Sequence, residues 1–328
     1  MNHQNLSWQQ QLSNAFSNIT DLCDYLELNP AEIFSANASA NFPLRVPHSF
    51  VARMEKGNLN DPLLKQVLPI ADEMQTFPGF SADPVGDLAA ITEVGVIHKY
   101  HGRALFIMTG SCAINCRYCF RRNFPYSEFQ LSKQKQQQAI AYLKNNPEIS
   151  EIILSGGDPL LLNDHKLAEL IAQLDEIPHL KRIRIHSRLP IVLPARITSE
   201  FIDVLKQSSK QMVLVVHCNH ANELNEEVKT ACDKIRAAGI SLLNQAVLLK
   251  GVNDSAEALH ALSEKLFSFG ILPYYLHLLD KARGTAHFEV SEVDAIALMQ
   301  QLRNTLPGYL VPKLAREEAG AAAKTLIF

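Results

Sequence analysis

The stretch Arg103-Ala104-Leu105-Phe106-Ile107-Met108-Thr109-Gly110-Ser111-Cys112-Ala113-Ile114-Asn115-Cys116-Arg117-Tyr118-Cys119 decides how the whole chain is read. Its first part, Ala104–Met108, is a short β-rich apolar run, and its second part is a loop holding three cysteines. From Arg103 onward a regular rhythm follows. Runs at Ala104–Met108, Glu151–Leu154, Arg182–Ile185, Met212–Val216, Ser241–Leu248 and Leu272–Leu276 read as strands. Between them Lys133–Asn145, His165–Asp175, Ser199–Gln207, Glu223–Ala238 and Ala256–Phe269 have helical apolar spacing. After the first gap the strands recur at roughly 30 residues, the length of a strand with its crossover helix. Six such units predict an α/β fold, a parallel sheet curled into an incomplete (βα)6 barrel of the TIM type. In barrels of this kind ligands are held at the C-terminal ends of strands and in the loops after them. The residues just past each strand are therefore the candidates for chemistry.

Outward from this core the character changes. Residues 1–97 read as an N-terminal helical region. Trp8, Leu12, Phe16, Ile19 and Leu22 give Trp8–Leu26 a helical spacing, Pro30 begins a second helical stretch, and Arg45–Pro69 continues helical. A loop rich in Gly, Pro and Asp follows at Thr76–Gly86. Residues 98–290 form the barrel, and 291–328 hold a helix, Glu292–Leu306, an apolar run, Tyr309–Leu314, and a tail of small residues.

Composition narrows the function classes. With 31 Lys+Arg against 34 Asp+Glu in 328 residues, the formal charge is −3, which argues against holding nucleic acid by charge neutralisation. No apolar run approaches the roughly 20 residues that span a bilayer, so no membrane association is expected. The first residues lack the basic and apolar segments of a secretory signal. A cytoplasmic protein is expected, and there structural disulfides are disfavoured.

That compartment makes the six cysteines informative, because three of them fall within eight residues. Polar flanks and tight spacing speak against three core cysteines. A disulfide would leave an odd thiol. A zinc-stabilised binding module would need a fourth ligand, from Cys218, Cys232, His217 or His220. Cubane iron–sulfur clusters usually take four cysteines, one per iron. Three thiolates spaced CxxxCxxC with no local fourth suggest a cluster with one iron open to a substrate. One βα unit later, Ser155-Gly156-Gly157-Asp158-Pro159 ends the next strand with paired glycines that let backbone approach a ligand. Beside the last cysteine stand Arg121 and Arg122; arginine grips carboxylates bidentately.

The cysteine spacing, in the loop after the first strand of six βα units, resembles the radical S-adenosylmethionine (SAM) superfamily. There three cysteines hold a [4Fe-4S] cluster whose open iron chelates SAM. Within it the chain resembles the lysine 2,3-aminomutases, which also use pyridoxal 5′-phosphate (PLP). The likeness runs from about Arg45 to Lys324 through HKYHGRALF (98–106), CAINCRYCFRRNFPY (112–126), LSGGDPLL (154–161), RIHSRLPIVLPARI (184–197), LNQAVLLKGVND (243–254) and LPYYLHLLDKARGTAHF (272–288). FRRNFPY, RIHSRLPIVLPARI and GYLVPKLARE are most similar to the short form that makes (R)-β-lysine for elongation factor P.

The resemblance implies roles residue by residue. Cys112, Cys116 and Cys119 would hold the cluster, and Gly156, Gly157, Asp158, His217 and Gln245 would line the SAM pocket. Arg121 would grip the substrate carboxylate. Asp280, with Glu317 where longer relatives have Asp, would bind the lysine ε-ammonium. Arg103, and Lys99 in place of a second arginine, would meet the PLP phosphate. Lys324 would be the catalytic Schiff-base lysine, with Lys313 as the alternative. Alanines replace glycines in Glu318–Lys324 and would make that segment more helical. The implied activity is conversion of L-α-lysine to (R)-β-lysine, driven by a flavodoxin- or ferredoxin-type donor. The product would supply the lysine ligase that modifies elongation factor P. A 2,3-aminomutase of another amino acid is the rival enzyme.

Overall fold

The computed structural model describes residues 6–29, 36–93, 95–129 and 131–328. Its centre is one ten-stranded sheet whose strands lie in chain order: β1 (Ile91–Glu93), β2 (Val96–Tyr100), β3 (Arg103–Thr109), β4 (Glu151–Gly156), β5 (Arg182–Ser187), β6 (Gln211–His217), β7 (Ser241–Val247), β8 (Leu272–His277), β9 (Lys313–Arg316) and β10 (Thr325–Leu326). Strands β3 to β9 are parallel, while β1 and β2 at one edge and β10 at the other are antiparallel to their neighbours. The six expected strands are β3 to β8. The parallel set then gains a seventh member, β9, from the end of the apolar run at 309–314. Side chains from β2 through β8 reach one cavity, so the sheet curls into a barrel, and β1 and β10 leave it open.

The helices between parallel strands begin by a shared local rule. Ser132, Asn163, Thr198, Asn225, Ser255 and Ser291 each accept a hydrogen bond from a backbone N–H of the first helical turn. Such caps satisfy donors that have no intrahelical partner. The helices then bury apolar stripes against the sheet, as Leu167, Leu170, Ile171 and Leu174 do from the helix Asp164–Asp175. No helix among the described residues is long and apolar enough to cross a membrane.

The N-terminal region departs from its reading. Trp8–Leu26 is two helices, Trp8–Ser13 and Ile19–Leu26, because Phe16 exchanges backbone hydrogen bonds with Val46 and Asn18 caps the second helix. Arg45–Pro69 holds only short helices, His48–Val51 and Pro62–Lys65. The stretch expected from Pro30 begins outside the described residues; its described part is the helix Ala36–Asn41. The region that reads as helical to residue 97 ends in β1 and the start of β2. These strands pair antiparallel by long-range register, which the short run between Ala90 and Tyr100 does not announce. The alanine-rich tail is not helical either. Gly320 takes φ +80°, and the chain turns back so that Thr325 and Leu326 pair with Arg316 and Ala315.

Candidate active site

The C-terminal ends of the parallel strands open on a cavity of about 450 Å³. It is lined by the three cysteines, the Gly156–Asp158 element, His217, Gln245, Lys99, Arg103, Arg121, Asp280, Glu317 and Lys324. Lys313 does not line it; its side chain is exposed on β9, away from the cavity.

The cysteine loop is fixed by the residues between its thiols. Asn115 donates its backbone N–H to Arg45 and its amide to Pro43, and the Arg117 backbone N–H donates to Gln66. The fully buried guanidinium of Arg117 forks onto Glu73. Glu73 also takes Arg122, which turns away from the cavity, so the Arg121–Arg122 pair is divided between structure and site. The N-terminal layer thus acts as the mould for the loop. Just past β5, Arg188 brings Nη1 to 2.7 Å from Cys116 Sγ, and its Nη2 is held by Gln66 and Glu223. Burial pushes the Cys119 thiol to about 11 and Cys112 well above its ordinary value, and the neighbouring thiols add to both rises. Cys112 and Cys119, raised in this way, need a strongly cationic centre to ionise them, which a cluster supplies. Among the described residues no three His, Cys, Asp or Glu side chains are grouped to hold a metal ion.

The paired glycines are required by the chain itself. A Cβ on Gly157 would stand 2.1 Å from the Ser111 carbonyl oxygen, and one on Gly156, at φ +113°, would stand 2.8 Å from that of Thr109. Backbone hydrogen bonds from Gly157 to Thr109 and from Asp158 to Ser111 lock the second strand end onto the root of the cysteine loop. Both oxygens of Asp158 are engaged. Oδ1 accepts from Ser187 Oγ and the Leu160 N–H, and Oδ2 from the backbone N–H groups of Arg188 and Leu189. Its carboxylate therefore braces the loops around the pocket. Across the barrel, Gln245 Nε2 lies 2.9 Å from His217 Nε2 and 3.4 Å from His186 Nδ1. Burial, with Arg188 nearby, holds His217 down at about 3, so it is a neutral imidazole accepting on Nε2.

A chain of charges begins beside the cysteine loop at Arg121 and runs along the cavity. Asp87, from the loop before β1, takes Arg121 Nε at 2.6 Å and Lys99 Nζ at 2.6 Å. Lys99 also donates to the Val85 carbonyl and to Glu317 Oε1, each at 2.8 Å, so its three N–H donors are all engaged. Glu317 Oε2 accepts from Lys324 Nζ at 2.8 Å. Burial opposes ionisation of Glu317, but Lys324 and Lys99 outweigh it and hold the carboxyl at about 2. Asp280 differs. Burial pushes its carboxyl up to about 7 against the pull of Lys324, and among the described residues no hydrogen bond or ion pair reaches its side chain. Arg103 lies against the Tyr100 ring, 4.6 Å from its centre. Asp87, His186 and Arg188 are site residues that sequence reasoning missed. Arg188 stands in the quoted RIHSRLP run, whereas Asp87 sits in an aperiodic loop with no local signal.

Comparison with known proteins agrees with this geometry. The Radical SAM superfamily pattern matches residues 106–262. The chain is 51% identical to the L-lysine 2,3-aminomutase of Escherichia coli K12, over 97% of this chain and 93% of that one. It is 49% identical to the L-lysine 2,3-aminomutase of Haemophilus influenzae, over 98% and 95%. Against the L-lysine 2,3-aminomutase of Clostridium subterminale identity is 34%, over 97% of this chain and 77% of that one. With three thiols, a glycine-locked strand end and an acid–base wall around one cavity, the chain is an isomerase that belongs to the lysine 2,3-aminomutase family of radical SAM enzymes.

Proposed function

We propose that the protein converts L-α-lysine to (R)-β-lysine in the cytoplasm, and that the product feeds β-lysylation of elongation factor P through its lysine ligase. The observation that carries this reading is a single cavity lined by the three cysteines together with Arg121, Asp280 and Lys324. When bound, the cluster with SAM supplies hydrogen-abstracting chemistry, and PLP supplies a carbonyl carrier for the migrating amino group.

The chain's own residues position the reactants. Asp87 pins Arg121 Nε and Ser155 Oγ lies 3.5 Å from Nη1, so Nη2 is left for the substrate carboxylate. Asp280 is the free carboxylate at the substrate's far end and receives the ε-ammonium. Holding both ends of lysine sets C2 and C3 at a fixed place in the cavity, the positional advantage on which such chemistry depends. Arg103 meets the PLP phosphate, flanked by Lys99 within the Asp87–Glu317 network. Lys324, on the cavity, is the PLP lysine in preference to the exposed Lys313. His217 and Gln245 keep the SAM side neutral and hydrogen-bonded.

Anaerobic reconstitution followed by incubation with L-lysine, SAM, PLP and a flavodoxin- or ferredoxin-type donor tests the reading. A brown protein with about four irons per chain, and (R)-β-lysine on chiral analysis, is expected. Stoichiometric zinc without iron, or faster turnover of another amino acid, would overturn it. The cellular role predicts that elongation factor P loses its β-lysyl mass when the gene is deleted.

A further inference from the structure

The two carboxylates that end the substrate pocket are not equivalent. Among the described residues nothing donates a hydrogen bond to the Asp280 carboxylate, whereas each oxygen of Glu317 already holds a lysine ammonium, Oε1 that of Lys99 and Oε2 that of Lys324, both at 2.8 Å. The three side chains are largely withdrawn from solvent, with 13%, 17% and 25% exposure for Lys99, Glu317 and Lys324. A substrate ammonium brought to Glu317 would be a third cation on one carboxylate, and repulsion between like charges is poorly screened in such a site. The geometry of the turn points the same way. Glu317 directly follows β9 and Lys324 directly precedes β10, so the pair closes the hairpin that carries Lys324 to the cavity.

We infer that Glu317 is a positioning residue for Lys324 and does not read the substrate's ε-ammonium, which falls to Asp280 alone. Whenever Lys324 Nζ is free, Glu317 Oε2 is its resting place. Through Oε1 the same carboxylate ties that position to Lys99, and through Lys99 to Asp87 and Arg121. The lysine that meets the cofactor and the arginine that meets the substrate carboxylate are thereby registered to each other. This inference rests on Lys324 being the PLP lysine.

The test compares Glu317→Gln, Glu317→Asp and Asp280→Asn in cluster-loaded protein. PLP is added alone, the adduct is trapped with borohydride over time, and the labelled peptide is identified. Glu317→Gln should slow adduct formation and lower kcat about tenfold or more, the scale of a lost charged hydrogen bond. Its KM for lysine should stay near the wild-type value. Glu317→Asp, which keeps the charge, should recover part of the loss. Asp280→Asn should do the reverse, raising KM for lysine with adduct formation unchanged. Wild-type adduct kinetics in Glu317→Gln combined with a raised KM would overturn the inference and make Glu317 an ammonium reader. A wild-type adduct on a lysine other than Lys324 would instead sink the assignment of Lys324, and with it this inference.

Discussion

The cysteine loop and the charged network that line the cavity are built differently. The loop is contiguous, Gly110–Cys119, and locked at its root to the glycines of the next strand. The network gathers Asp87, Lys99, Arg121, Asp280, Glu317 and Lys324 from six separate places in the chain. The cysteine loop is held by backbone contacts with little room for substitution, backed by the buried Arg117–Glu73 pair. The network is held by ion pairs whose members trade partners with ligands. Steric locks are local and rigid, because backbone cannot yield to an added atom. Charge networks act over longer range and redistribute when one member changes.

Substitutions on each side should separate these modes. Cys116→Ala carries the largest expected effect. It removes a proposed cluster ligand and the Arg188 contact together, and reductive SAM cleavage should fall to background; deoxyadenosine formation at the wild-type rate would contradict the assignment. Lys324→Ala in the charged network should lose the borohydride-trapped PLP adduct while iron content and SAM cleavage stay intact. An adduct that persists would move the cofactor to another lysine and dissolve the proposed contrast.

Stability should divide the loop from the network as well. Gly157→Ala places a methyl group against the Ser111 backbone, an overpacking of the kind that costs about 1–3 kcal/mol, and should lower both Tm and iron content. Gly320→Ala meets nothing within 4 Å and carries only the left-handed backbone penalty of about 1–2 kcal/mol. It should leave iron content unchanged. Equal iron loss in both variants would show that the cysteine loop is not specially locked.

Asp280 gives the most graded effect, and pH is its readout. With its carboxyl raised to about 7, it is half-protonated near neutrality while the lysine ε-ammonium stays charged. The KM for lysine should therefore fall as pH rises through about 7 and level off above it. Asp280→Asn should remove that inflection and weaken lysine binding roughly ten- to hundredfold. The sign for stability is opposite. Between the ordinary carboxylate range and about 7 the folded state binds the extra proton, so this group's contribution falls as pH rises. Cofactor-free Asp280→Asn should consequently be the more stable protein at pH 8. A KM profile with the same inflection in both proteins would assign the titration to another group.

Much of the fold is legible in the sequence because strand, helix and cap are short-range matters. The β-rich runs, the apolar helical spacing and the Ser, Thr or Asn before each helix set the rhythm of β3 to β8. The cysteine loop is legible for the same reason, since its thiols are neighbours in the chain. Less is legible where geometry depends on distant partners. Phe16 breaks a helical pattern because Val46 offers it backbone hydrogen bonds. Gly320 and the pairing with β9 turn an alanine-rich tail into a hairpin.

The same division runs through the site. Sequence by itself named the candidates for the chemistry: three thiols at cluster spacing and a glycine pair, with Arg121, Asp280 and a lysine near residue 324 added by the family resemblance. Only the tertiary structure decided how those residues are charged and coupled. It brought Asp87 under Arg121 and Lys99, placed Arg188 on Cys116, and gave Glu317 to two lysines while leaving Asp280 free. Chemical identity is written in each side chain, but its charge state and orientation depend on burial and on partners that only folding brings within a few ångströms.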